Sequence, residues 1–257
     1  MILQILIAVI VFGLLIFVHE MGHFLSAKAT GIKVNSFSLG MGPRLLGKKI
    51  GETDFSLRAF PIGGACAMEG EDEGSYDPRA FTNKPLWARF IVLAAGTFMS
   101  FLLGFVIIMA LLAPAERFTT TTVSGFPAEL GETNHGVLAG DVLYKINGER
   151  VYITDNISFL FSRYSGEPYT IEVIRDGKHV VLEDVVIEPK VYAGSETPRY
   201  GFDMATEDAN LFSSIRQGWL ISCNYVRMVR MSIVDLFTGK VGVDQLSGPV
   251  GITATLS

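Results

Sequence analysis

His19, Glu20 and His23 fall within five residues, His19-Glu20-Met21-Gly22-His23, just after eighteen residues that carry no charge. On a helix, residues four apart share one face, so both imidazoles can bind one Zn²⁺. The glutamate between them can then act as general base toward water, which is the chemistry of an H-E-x-x-H hydrolase. A lone histidine on such a helix is more often a satisfied polar residue or an interface anchor. Two histidines and a glutamate in register, in a stretch where ionisable groups are expensive, point instead to a functional site.

The element that must carry this cluster reads as a membrane helix. Hydrophobic residues make up 49% of the chain and mean hydropathy is +0.38, yet 18% of residues are charged, so soluble parts are expected as well. The apolar excess sits in Met1 to Val18, which runs on through the motif to about Ala27, and in Phe90 to Ala115, which has no charge. At about 1.5 Å per residue each can cross a hydrocarbon core of about 30 Å. The first run lacks a basic leader and a small-x-small cleavage site, and so reads as a retained span. Lys28, Lys33, Arg44, Lys48, Lys49, Arg58, Arg79, Lys84 and Arg89 all lie between the two spans, which predicts a cytoplasmic loop with the N-terminus and the later part of the chain outside. The net charge of −5 argues against nucleic-acid binding. Cys66 and Cys223, on opposite sides of that topology, imply no disulfide framework.

Between the spans, Thr53 to Phe60 alternates with the period of a half-buried strand, and Pro61 to Met68 is small, apolar and glycine-rich. An ordinary hairpin fits this pattern. So does a re-entrant hairpin whose edge, over Arg58, Ala59, Phe60, Ile62, Gly63, Gly64 and Ala65, holds substrate as an added strand. Thr119 to Tyr192 reads as a compact β-rich domain, with Asn147-Gly148 and Asp176-Gly177 as hairpin turns and a short helix over Asp155 to Ser162. Leu211, Ile215, Trp219, Val226, Val229, Ile233 and Leu236 mark an apolar stripe. Arg216, Arg227 and Arg230 lie across the helix and favour an amphipathic helix, on the membrane surface or on protein, over a third span.

Phe17 to Phe24, Ser38-Leu39-Gly40-Met41-Gly42-Pro43, Leu57 to Gly64, Glu69-Gly70-Glu71-Asp72, the Gly140-Asp141…Asn147-Gly148 run and Leu246 to Ile252 occur in that order. Together they resemble the bacterial site-2 protease family of the RseP type over essentially the whole chain. The resemblance implies a mixed α and β membrane protein in the bacterial cytoplasmic membrane. Its parts would be a transmembrane helix at 1–27, a cytoplasmic and re-entrant β loop at 28–89, and a second transmembrane helix at 90–115. An extracytoplasmic PDZ-like domain at 119–192, an amphipathic helix at 211–238 and a linker starting at 239–257 would follow. It also implies intramembrane zinc proteolysis of single-span membrane proteins within the lipid bilayer, with His19 and His23 as zinc ligands and Glu20 as catalytic base.

Two departures from the family pattern stand out. Gly96-Thr97-Phe98-Met99-Ser100 occupies the place of a Gly-Pro-x-x-Asn-like segment, leaving any polar role of that asparagine to Ser100. The family's third ligand is an aspartate in a Leu-Asp-Gly motif on a later span, expected here beyond Ser257, so the 257 residues read as an N-terminal part that is inactive alone. A loop carboxylate among Asp54, Glu69 and Glu71 is the substitute to consider. Two other functions compete: a membrane-anchored PDZ-type regulatory protein without proteolytic activity, and a tethered zinc hydrolase acting on soluble peptides.

Overall fold

The computed structural model describes residues 2–131, 133–164, 167–192 and 197–239; the Leu246 to Ile252 motif and nearly all of the expected linker lie outside them. The chain divides into two compact units, Met1–Ile107 with Ser232–Ser257, and Ile108–Met231.

In the first unit, helix α1 (Ile2–Ala29) is made largely of Ile, Leu, Val, Phe and Ala with no proline to interrupt it. It ends at Gly31, whose φ of +71° is open to glycine. Gly31 N donates to Lys28 O (3.2 Å) and Ile32 N to Ala27 O (2.8 Å), the paired bonds of a Schellman cap, with Ala27 and Ile32 both buried. The cap turns the chain directly into strand β1 (Val34–Ile50), which pairs antiparallel with β2 (Thr53–Met68).

Both strands fold back on themselves, β1 around Gly40 and Gly42 (φ +87° and +83°) and β2 around Gly63 (φ +80°). The register is therefore double: Phe37 is opposite both Cys66 and Phe55, and Leu39 opposite both Gly64 and Leu57. Four segments result, in the order 44–50, 53–58, 34–39 and 64–68, with 64–68 at an edge. This hairpin packs on α1 through Phe37 and Phe55 against Phe17 and Phe24, with ring centroids 5.5–6.2 Å apart. Phe17 and Phe24 are two turns apart and so lie on one helix face.

The return from the hairpin is pinned by charge. Glu69 accepts from Lys33 (3.0 Å), Asn35 (3.0 Å) and Ser75 (2.7 Å), while Glu52 binds Lys28 (2.7 Å) and Arg79 (2.8 Å). Helix α2 (Leu86–Leu112) then meets α1 at Gly22, where a Cβ would lie 2.5 Å from Ala95 O. Among the described residues, α1 over Leu6–Ala29 and α2 are the two helices long and apolar enough to cross a membrane. Only 6% and 11% of their most apolar stretches is buried. Exposing that much apolar surface to water is unfavourable at about 25 cal/mol per Å², whereas lipid removes the penalty. The protein is thus a mixed α and β membrane protein with two candidate spans.

The second unit is built on a sheet of β10 (Asp203–Asp208), β3 (Arg117–Gly125), β6 (Val142–Ile146), β8 (Tyr169–Arg175) and β9 (Lys178–Val185) in that order, with β7 (Glu149–Arg150) paired to β6. Asn147-Gly148 and Asp176-Gly177 make its tight turns with positive φ at both residues, the backbone that a two-residue hairpin with the native twist requires. Helix α3 (Thr154–Arg163) closes the core with Ile157, Leu160 and Phe161, which pack with Val123, Leu143 and Ile171. Asp141, 1% exposed, accepts from Leu138 N and from both Nε and Nη2 of Arg175. Burial opposes its charge, but these donors prevail and hold the carboxyl below its ordinary range.

Helix α4 (Leu211–Phe237) starts on a reciprocal cap between Asn210 and Ser213. It buries Ser213, Ser222, Asn224 and Met231, while Ile215, Trp219, Val226 and Val229 are exposed.

Candidate metal centre

The register of α1 divides its last turns between two neighbours and the space between them. Phe17 and Phe24 face the hairpin, Gly22 faces α2, and His19, Glu20 and His23, all half-buried, fall between them. His23 Nδ1 is 2.8 Å from Val92 O. A carbonyl only accepts, so Nδ1 carries the hydrogen and Nε2 keeps a lone pair. His19 Nδ1 lies 3.2 Å from Ser100 Oγ, which itself donates to Gly96 O (3.2 Å). With the Ser100 hydrogen on Gly96 O, His19 takes the same tautomer.

The two Nε2 atoms face each other at 3.2 Å. Facing lone pairs repel unless a cation stands between them, and two nitrogens 2.0–2.1 Å from a tetrahedral ion would be about 3.3 Å apart. Gly96 preserves the room: a Cβ there would lie 2.4 Å from His23 Nε2 and 2.8 Å from His19 Nε2. The donor set and the space both fit Zn²⁺.

Glu20 lines an open cavity of about 370 Å³ with Leu15, Ile16, His19, Gly63, Gly64 and Ser100. Gly64 has no side chain to spare here, since a Cβ would sit 2.8 Å from Glu20 Cγ. The edge segment therefore closes on the carboxylate through bare backbone. Of the seven hairpin residues named from sequence, Gly63 and Gly64 line this cavity and the other five do not. Arg58 donates to Gly42 O (3.0 Å), Phe60 and Ile62 are exposed, Ala59 lies by the bend, and Ala65 pairs with Ser38.

Among the described residues, no third His, Cys, Asp or Glu completes a group able to hold a metal. The loop carboxylates are engaged elsewhere: Asp54 with Arg44 (2.7 and 2.9 Å), Glu69 with Lys33, and Glu71 with Met68 N (3.2 Å). His179, in the second unit, packs edge-on against Tyr144. Sequence reasoning did not find Val92 and Gly96. Their spacing is one helical turn, and with Ala88 they make a buried stripe on α2 that continues to half-buried Ser100.

Two membrane-type helices that cross at a glycine, two converging imidazoles and an adjacent carboxylate define a membrane protein with an H-E-x-x-H candidate metal centre. The chain belongs to peptidase family M50, which matches residues 7–257, and the resemblance read from the motifs is borne out. It is 33% identical over 252 residues to a Clostridium acetobutylicum protein named "Putative zinc metalloprotease", covering 97% of this chain and 73% of that one. A Fusobacterium nucleatum protein with the same descriptive name is 33% identical over 254 residues, covering 96% and 74%. Zinc metalloprotease RasP of Geobacillus kaustophilus is 25% identical over 327 residues, covering 96% and 77%.

Proposed function

We propose that this chain is a membrane zinc metalloprotease that cuts single-span membrane proteins in or near their transmembrane segment, with His19 and His23 as ligands and Glu20 as general base. The observation that carries the reading is the meeting of two Nε2 atoms at 3.2 Å beside the Glu20 cavity. When bound, the ion would polarise a scissile carbonyl and acidify water. Glu20 takes the water's proton and passes it to the leaving amide nitrogen. A third, anionic ligand is assigned outside the described residues.

Helical substrates hide their carbonyls, so one stretch must unwind. The free edge of segment 64–68, which pairs on its other side with 34–39, supports capture of that stretch as an added strand beside Glu20. This is the re-entrant hairpin role. The basic loop between the spans supports a cytoplasmic hairpin and an extracytoplasmic second unit in a bacterial inner membrane, and the exposed apolar stripe of α4 supports its lying on the bilayer surface.

The test is metal analysis of the purified chain together with cleavage of a single-span reporter in membranes by the full-length protein that supplies the third ligand. His19→Ala and His23→Ala should each lower zinc content and abolish chelator-sensitive cleavage. Undiminished zinc in both variants would remove the site.

One observation also supports a binding role for the second unit. Between α3 and the edge strand β10 lies a cavity of about 520 Å³ lined by Thr154, Ile157, Ser158, Phe202 and Met204, the helix-and-edge groove of a PDZ-like module. Titrating peptides into the protein with Ser158→Arg, at an exposed lining position, as control tests it. Equal binding by both would set the groove aside.

A further inference from the structure

We propose that Ser100 is the positioning residue that presents His19 to the metal. The inference rests on the reading of His19 and His23 as ligands and adds a residue to it. The two imidazoles are oriented by different means. His23 leans on Val92 O, a backbone oxygen that no substitution at that position removes, whereas His19 leans on the hydroxyl of Ser100. That hydroxyl has one hydrogen; given to Gly96 O (3.2 Å), as a helix back-bond, it leaves the oxygen to accept from His19.

In that arrangement Nδ1 of His19 holds its hydrogen, which leaves the lone pair on Nε2, the atom that faces His23. Ser100 is one helical turn beyond Gly96. A single face of α2 thus supplies the accepting carbonyl, the open space and the accepting hydroxyl. Without the hydroxyl a neutral imidazole divides between two tautomers and rotates, and one of those tautomers places N–H where the metal belongs.

The experiment uses the full 257-residue chain in detergent, with Zn²⁺ and Co²⁺ alone as probes, and ¹⁵N spectra of the histidines in the metal-free protein at alkaline pH. Ser100→Thr keeps the hydroxyl and Ser100→Val keeps nearly the same bulk without it. Ser100→Val should weaken Zn²⁺ binding about 10–100-fold and move His19 toward the Nε2–H form, while His23 stays Nδ1–H. It should also alter the visible spectrum of bound Co²⁺. Ser100→Thr should match the parent protein in all three.

Parent-like affinity and an unmoved His19 tautomer in Ser100→Val would overturn the proposal, as would equal disturbance of His19 and His23, which marks general loosening of α2. His19→Ala separates the two readings. If it binds Zn²⁺ as well as the parent, the ligand assignment itself fails. If it loses Zn²⁺ while Ser100→Val does not, only the role of Ser100 fails.

Discussion

At the scale of single residues, the centre depends as much on what is missing as on what is present. In the proposed mechanism Glu20 accepts a proton, which an amide cannot do. In the full-length context, Glu20→Gln should therefore lower reporter cleavage by about 10²–10⁴-fold while zinc content stays at the parent level, measured by metal analysis beside the cleavage assay. Near-parent turnover would remove Glu20 from the chemistry. Gly96 plays the opposite part, contributing only room. Gly96→Ala places a methyl 2.4 Å from His23 Nε2, in the volume an ion between the imidazoles would use. Zinc stoichiometry should fall sharply with little change in helicity by circular dichroism, and retained zinc would mean that the ion sits elsewhere.

At the scale of elements, the hairpin is held to α1 by rings and to the following loop by charge, and these two attachments fail differently. Phe37 is 5% exposed and touches Phe17, Phe24 and Phe55. Phe37→Ala should destabilise the unit by about 3–5 kcal/mol, read as a lower denaturation midpoint in detergent, and should slow cleavage by loosening segment 64–68 beside Glu20. An unchanged midpoint would mean that the rings do not hold the hairpin.

The charged attachment is read by pH. Hydrogen bonds from Ser75, Asn35 and Lys33 hold the Glu69 carboxyl down at about 2, against an ordinary 4.5, and the bond to Glu69 raises Lys33 above its ordinary 10.5. A depressed carboxyl stabilises fully above its unfolded value and loses that contribution as pH falls through the folded one. A raised amine does so below its unfolded value and loses it as pH rises. The clasp is thus whole between about 4.5 and 10.5. Carboxyl ¹³C titration of Glu69 should give a midpoint near 2, moving up in Asn35→Ala; a midpoint near 4.5 would mean the clasp is open in solution.

At the scale of the whole molecule, the proposed topology makes the two free cysteines opposite reporters. Cys223 is exposed, whereas Cys66 is buried, and that burial, reinforced by the charges of Glu20 and Glu71, pushes its thiol up to about 12. A membrane-impermeant maleimide added to intact spheroplasts should label Cys223 and spare Cys66, with Cys223→Ser abolishing the signal. Labelling of Cys223 only after permeabilisation would invert the topology. The two compact units also separate the tasks: every residue of the candidate centre lies in the first, and the groove beside β10 lies in the second.

The sequence by itself determined what depends on order along one chain. The four-residue spacing of His19 and His23 gives one helix face, uninterrupted apolar runs give membrane-length helices, and Asn147-Gly148 and Asp176-Gly177 give tight turns. Each is a local consequence of 3.6-residue periodicity, of burial, or of backbone freedom at glycine. Family membership followed too, since motifs in fixed order survive as sequence.

Tertiary structure alone decided what depends on distance between segments far apart. That β1 and β2 fold back to pair twice, that β10 joins the sheet beyond Tyr192, and that Gly63 and Gly64 rather than Arg58 or Phe60 reach Glu20 are results of register, which periodicity does not encode. The same holds for Val92, Gly96 and Ser100, about seventy to eighty residues from the histidines they serve. The motif marked Gly96 and Ser100 as a segment, but the carbonyl, the open space and the hydroxyl become part of a candidate centre only when a helix crossing brings them there.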